Sequence, residues 1–460
     1  MSVGARHRRG REIVCKAVDR VVTRAQLRSS AVRRLPRRRR SVPSTMRPAL
    51  AKSWGAYVLV GRAPHVQRVS IAMFLGRLPN GMLPLGIVLL IDERLGSYAI
   101  SGAALAAFMV GTTVSAPIRG RAVDRWGQFR VLLPLSLTQM TALCAFIIAV
   151  LAGGSAVTLM LLGAVVGASG STLGGSMRAL WPALVHQDQL PTAYSLQAFL
   201  EDLISLAGPL VVAIVLVLAS PSSVLAVAGI ASFIGTAMFI ATPASRAAVG
   251  RARAGRGRRP SLNTSGMRTL GTTLLCGGVV TGILTVAVPA FAKQEGPSWA
   301  GGVLLAVMGA GSVVGGASYG AAVWRSSAGR RYVWLTGAFA SAVALLAAAH
   351  SMALLGVLLA LVGLTYAPRV STAYLLLDEL APCDALTQGY TWLVSATAGG
   401  RAVGAAVGGL VVQHLGVHWT LALAGVSAGT AAILATAGRR TLTPLVPGAR
   451  SLTSEPRTLR

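Results

Sequence analysis

Twelve near-continuous apolar stretches, each about 20 residues long, fill the chain between Val69 and Gly438, and the connections between them alternate in charge. Connections two, four, six and eight carry arginines: Arg119, Arg121, Arg125 and Arg130; Arg178; Arg246, Arg251, Arg253, Arg256, Arg258, Arg259 and Arg268; then Arg325, Arg330 and Arg331. The intervening connections carry only Arg94 and Lys293. Of 43 Lys and Arg residues, all but these two and the intraspan Arg77, Arg369 and Arg401 fall in the Arg-rich connections or the tails. Cationic loops stay on the cytoplasmic side during insertion. The pattern therefore predicts a chain that threads a membrane twelve times, with both termini cytoplasmic.

A helix needs about 20 apolar residues to cross the ~30 Å hydrocarbon core, and it satisfies its own backbone hydrogen bonds there. These stretches are too long for barrel strands and lack their period-2 alternation. Hydrophobic residues make up 53% and charged residues 12%, too few charges to cover a soluble surface. The net charge of +30 does not indicate nucleic-acid binding, because the cations punctuate spans and form no basic domain. Cys15, Cys144, Cys276 and Cys383 avoid the outer connections and lack metal-ligand spacing, so neither a disulfide nor a metal site is expected. The fold class that follows is an all-α polytopic membrane protein.

The predicted spans are 69–91, 98–118, 131–152, 156–177, 193–219, 223–242, 269–291, 299–323, 332–349, 352–374, 387–413 and 418–438. The outer gaps 153–155, 220–222 and 350–351 are short enough to force helix hairpins. The organisation expected is a basic tail (1–67), a six-helix bundle (68–242), a cytoplasmic Arg/Gly-rich linker (243–268), a second six-helix bundle (269–438) and a cytoplasmic tail (439–460). Within the first tail Met46 is an alternative start, and residues 1–45 are expected to be dispensable. The bundles look related: Gly111, Val114 and Gly120 shift by 200 onto Gly311, Val314 and Gly320. Such parallel repeats, related by an axis along the membrane normal, occur in transporters.

Charges inside spans are costly and tend to face a partner or a wet pathway. Arg77 and the adjacent Glu201 and Asp202 lie at matched depth, about 12 Å into spans one and five. One of the two carboxylates, not both, is expected to face inward to Arg77, with Arg178 as a second cation. That group would serve either as a structural ion pair or as a proton carrier. Arg401, about 21 Å into span eleven, has no acidic residue at its depth. It would either snorkel outward or meet an anionic substrate group. Arg369 is expected near Asp378 and Glu379. Asn80, between Pro79 and Gly81, marks a helix interruption suited to a cavity wall.

Between spans two and three stands Gly120-Arg-Ala-Val-Asp124-Arg125-Trp-Gly127-Gln-Phe-Arg130. Its glycines suit a tight cytoplasmic turn, Asp124 suits a helix N-terminus, and Arg119 and Arg121 read as ordinary loop cations. The string resembles the loop motif of the major facilitator superfamily, keeping both glycines, the Asp-Arg pair and a terminal cation. It departs at Ala122, Gln128 and Phe129. The resemblance implies two rocking bundles and a gating role for Gly120, Asp124, Arg125, Gly127 and Arg130. Gly208-Pro209 in span five, and Gly400, Gly404, Gly408 and Gly409 in span eleven, each resemble part of the family's antiporter motif. In physical terms these are small residues that let helices approach closely.

The function expected is secondary active transport of a small molecule by alternating access, proton-coupled and outward, by a monomer in the cell membrane. No cofactor, metal, nucleic acid or enzymatic site is expected, and no Walker lysine supports ATP drive. Importers of the same fold and a non-transporting sensor or scaffold are the alternatives.

Overall fold

The computed structural model describes residues 64–186, 189–242, 245, 264–322, 324, 326–380 and 386–442. Most of the first tail, of the linker and of the second tail lies outside these residues, and with them Cys15, Met46 and Cys383. Among the described residues there is no strand, and twelve helical stretches are long and apolar enough to cross a membrane. They are span 1 (Val66–Leu95), span 2 (Tyr98–Trp126), span 3 (Gln128–Leu151), span 4 (Ala156–Pro182), span 5 (Thr192–Leu218) and span 6 (Pro221–Ala241). The second set is span 7 (Ser265–Glu295), span 8 (Ala300–Ala321), span 9 (Ala328–Ala348), span 10 (Met352–Leu380), span 11 (Gln388–Leu415) and span 12 (Val417–Arg440). Large aliphatic side chains such as Ile148, Leu161, Leu218, Val426 and Ile433 stand exposed on the outside of the bundle. Such a belt suits hydrocarbon and not water.

Local sequence sets the span ends. Ser97 and Ser155 cap spans 2 and 4, their hydroxyls accepting from the Ile100 and Thr158 amides at 3.3 and 3.2 Å. Gly127, at φ 86°, ends span 2 and starts span 3 by itself, a backbone state that side chains resist. Span 2 consequently runs further than expected. Gly120, Asp124 and Arg125 are helical, and the turn is Gly127 alone.

Two spans are interrupted. Span 1 breaks at Leu78, between the helices Pro64–Arg77 and Pro79–Leu95, because Pro79 has no amide hydrogen to give. Span 4 breaks between Ala168 and Leu173. The carbonyls freed there are met by Arg119, whose Nη1 donates to Gly167 O at 2.9 Å and Ala168 O at 2.6 Å. Arg119 is thus no ordinary loop cation: it is buried and closes the negative end of a helix dipole.

The halves repeat one crossing. Gly111 in span 2 leaves no room for a Cβ against the Ala164 carbonyl of span 4, and Gly311 in span 8 does the same against the Ala360 carbonyl of span 10. Gly163 against Ala104 and Gly363 against Met308 complete the two pairs. Small residues let backbones touch where lipid supplies no hydrophobic drive between helices.

The halves meet at one end. Gly102 of span 2 lies on Ala405 and Gly409 of span 11, and Gly302 and Gly309 of span 8 lie on Pro209, Ala213 and Leu206 of span 5. All of these contacts sit away from the Arg-rich connections. Toward the Arg-rich end, Gly120 and Gly320 continue the same helix faces, and a Cβ there would meet nothing among the described residues within 4 Å. On that side of the contacts the in-span side chains Arg77, Glu201 and Arg401 are accessible, and we read the space between the halves there as a cleft.

Candidate functional site

One wall of the cleft comes from the first half. Gly81 of span 1 and Gly208 of span 5 pack backbone to backbone, with the Ile204 carbonyl 2.8 Å from where a Gly81 Cβ would stand. One turn nearer the Arg-rich end, this crossing brings Arg77 to Glu201, Nη1 to Oε1, at 2.8 Å. Gly174 of span 4 makes space for the guanidinium, since its own Cβ would collide with Nη1. Gln197, one turn before Glu201, donates to the same Oε1 at 3.0 Å and to the Gly174 carbonyl at 2.9 Å. Its amide oxygen accepts from the buried Trp181 indole at 2.9 Å. The pair keeps 24% and 34% side-chain exposure, so water reaches an otherwise fixed network.

Of the adjacent carboxylates, Glu201 is the one that meets Arg77. Asp202 stands on the helix face that Pro209 and Ala213 turn to the other half; it is exposed and pairs with no cation among the described residues. Arg178 does not pair with Glu201; it is exposed. Asn80 is exposed beside the span 1 break.

The other wall comes from the second half. Arg401 of span 11 donates from Nη2 to the Tyr366 hydroxyl of span 10 at 3.1 Å. Its side chain is exposed. Arg369 does not reach Asp378 or Glu379. It is buried, its guanidinium carbon 4.5 Å from the Phe339 ring centre and 5.9 Å from that of Tyr366. Among the described residues it makes one hydrogen bond, to Thr273 O, long at 3.5 Å, and its Nε has no acceptor. Gly277 leaves the space the guanidinium fills. No carboxylate among the described residues pairs with Arg369 or Arg401. Tyr374 of span 10 packs on Tyr390 of span 11, ring centres 5.3 Å apart.

The closed end has its own polar knot, which sequence reasoning missed. Buried Asp92 of span 1 takes the Lys293 ammonium of span 7 at 2.8 Å and the Tyr98 hydroxyl of span 2 at 3.0 Å. The Tyr98 amide in turn donates to Gln413 of span 11 at 2.8 Å. Two of these three bonds join the halves.

In the motif between spans 2 and 3, Asp124 is exposed and accepts no hydrogen bond among the described residues. Arg125 lies 5.7 Å over the Trp126 ring, and Arg130 is exposed. Gln128, a departure from the family string, is buried. It donates to Ser176 O at 3.2 Å and accepts from Ser245 at 2.7 Å, tying span 3 to its neighbours. The span 11 glycines serve two contacts. Gly400, Gly404 and Gly408 press span 11 onto span 7, whereas Gly409 presses it onto span 2. The Pro209 carbonyl lies against Gly302 of span 8.

Twelve membrane-length helices around a charged cleft, closed at one end by interlocked glycines, define a multi-pass membrane protein built as a carrier. The chain belongs to the Major Facilitator Superfamily, whose family model matches residues 69–327. No curated protein sequence matches it. Among solved structures it is similar to a mutant of the nucleoside transporter NupG, with a TM-score of 0.68 and 14% identity over 82% of this chain and 99% of that one. It is also similar to a bacterial homologue of the iron transporter ferroportin in its inward-facing state, with a TM-score of 0.60 and 13% identity over 85% and 99%. A POT family transporter in complex with a thioalcohol-conjugated peptide gives a TM-score of 0.64 and 10% identity over 82% and 96%. At these identities the likeness is one of fold.

Proposed function

We propose that this protein is a proton-coupled secondary transporter that exports a small molecule across the cell membrane, acting as a monomer by alternating access. The Arg-rich connections and both termini face the cytoplasm, by the charge rule for inserted loops, so the open cleft is the cytoplasmic entry. The domain limits are 68–242 and 269–438 with the linker 243–268 between them. The halves rock about the cleft. The Asp92–Lys293–Tyr98 knot latches the outer end, while Gly120, Asp124, Arg125, Gly127 and Arg130 form the inner gate that engages when the cleft closes.

The observation that carries this reading is the Arg77–Glu201 pair, held within its spans yet partly accessible. A proton on Glu201 cancels its attraction for Arg77 and releases the guanidinium, giving the carrier two charge states. Asp202, exposed one residue away, provides a second protonatable group. Outward direction draws support from Gly208-Pro209, the remnant of the antiporter string.

Proteoliposomes holding the full chain, given an imposed pH gradient and a panel of small metabolites and drugs, test it. Gradient-driven flux of at least one compound is expected, falling about tenfold or more in Glu201→Gln as for removal of a general acid–base group. Unchanged flux in both Glu201→Gln and Asp202→Asn removes proton coupling through this pair. Flux that runs with the proton instead of against it makes the protein an importer.

A further inference from the structure

We propose that the substrate carries an oxyanion group, a carboxylate or a phosphate, which Arg401 binds. This inference rests on the transport reading above and names the substrate class of that cleft.

Arg401 sits about 20 Å from the Arg-rich end of span 11 at the rise of a helix, in the open part of the cleft. A guanidinium has five N–H donors, and the bond to Tyr366 uses one of them. The rest face an accessible space with no carboxylate partner among the described residues. A structural arginine at such depth is normally paired, because an uncompensated charge in the membrane is costly.

A second cation reinforces the first. Arg369 is 1% exposed, and its Nε has no acceptor. It lies 5.9 Å from the ring centre of the same Tyr366 whose hydroxyl Arg401 holds. Two guanidinium groups therefore share one tyrosine, the outer reachable and the inner sealed. Their combined field has the wrong sign for a cationic ligand and goes unused by a neutral one. An oxyanion matches the planar fork of Arg401 in two parallel hydrogen bonds. Arg369 then acts through Tyr366 as a positioning residue and touches no ligand.

The first half differs: there Arg77 already holds Glu201. The reachable guanidinium without a carboxylate is Arg401, which places the anion on the second half's wall.

The test is equilibrium retention of four radiolabelled probes built on one ring by the purified full chain in nanodiscs: benzoate, phenyl phosphate, benzamide and benzylamine. Saturable retention of benzoate, phenyl phosphate or both is expected, with benzamide and benzylamine at least about tenfold weaker, the usual margin of a charge-assisted bond. Preference between the two oxyanions assigns the group. Arg401→Gln is expected to lose about tenfold or more. Tyr366→Phe keeps the ring beside Arg369 and removes the hydroxyl; a loss of a few-fold is expected, and this variant decides the matter if Arg401→Gln does not fold. Benzamide or benzylamine retained as well as the oxyanions overturns the proposal. So does oxyanion retention unchanged by Arg401→Gln, or by Tyr366→Phe where that variant decides, or no saturable retention of either oxyanion. Gradient-driven flux confined to neutral or cationic compounds also overturns it while leaving the transport reading intact. Flux of no compound removes the transport reading instead.

Discussion

Gly111 against Ala164 in the first half and Gly311 against Ala360 in the second are one helix crossing built twice, yet the charges near the two copies are handled differently. In the first half Arg77 meets a carboxylate, an amide and a glycine-made space, a pair that one proton can break. In the second half Arg369 and Arg401 are steadied by aromatic rings, a carbonyl and a phenol, and none of these supplies a counter-charge. The backbone crossing is set by small residues and tolerates either arrangement. Chemistry is carried by side chains added to a common scaffold, which is how a duplicated bundle comes to have two unlike walls.

The largest effect should come from the shared part. Gly111→Leu presses a side chain into the Ala164 backbone of span 4, and Gly311→Leu presses one into the Ala360 backbone of span 10. Each is expected to cost about 3 kcal/mol, at the upper end of overpacking, read as loss of inserted protein and of thermal stability in detergent. If one half tolerates its leucine, the crossings are not equivalent.

Next comes the contrast between the walls. Arg77→Leu leaves Glu201 with Gln197 alone and is expected to lower stability by about 1–3 kcal/mol, a breakage cost reduced by partial solvent access. Arg369→Met removes a charge that has no partner charge to strand, so its stability loss should be the smaller of the two. Thermal melting of both variants compares the walls directly, and a larger loss for Arg369→Met would show that ring stacking outweighs ion pairing here.

The smallest effect concerns the latch. Lys293 is 49% exposed, so the pair with Asp92 is worth little beyond about 1 kcal/mol. Asp92→Asn should shift the balance toward outer opening by about two- to fivefold. Labelling of a cysteine placed at Ala405, from the side away from the Arg-rich loops, reads the shift. No change would leave closure to the Gly102–Gly409 contact.

Much of the fold is legible in the sequence because lipid imposes length and apolarity on every span, and arginines mark four of the alternate connections. Matched depth along parallel helices likewise brings Arg77 to Glu201. Depth says nothing of rotation, however, so the choice between Glu201 and Asp202 awaited the helix face set by Gly81 and Gly208. Gln197 carried a usable signal, being a polar residue one turn from Glu201 on the same face. Tyr366 and Tyr374 carried none, since a tyrosine within a span reads as packing until a cation is seen beside it. Asp92 fell in a short connection that looked like simple punctuation, and Tyr98 read as the first residue of an apolar span. Arg119 was misread because a loop cation and a helix-plugging cation are identical in sequence, and only the break after Ala168 tells them apart.

The uncompensated guanidinium charges of the second half have an electrical consequence. A membrane voltage acts on a charge that crosses it fully with about 2.3 kcal/mol for each ~100 mV. In the proposed cycle, rocking moves Arg401 and Arg369 through only a fraction of that drop, and nothing in the empty carrier cancels them. A cargo of opposite sign would. On that proposal the unloaded and loaded forms respond unequally to a membrane voltage, which then acts beside the proposed proton gradient in setting which way the empty cleft faces.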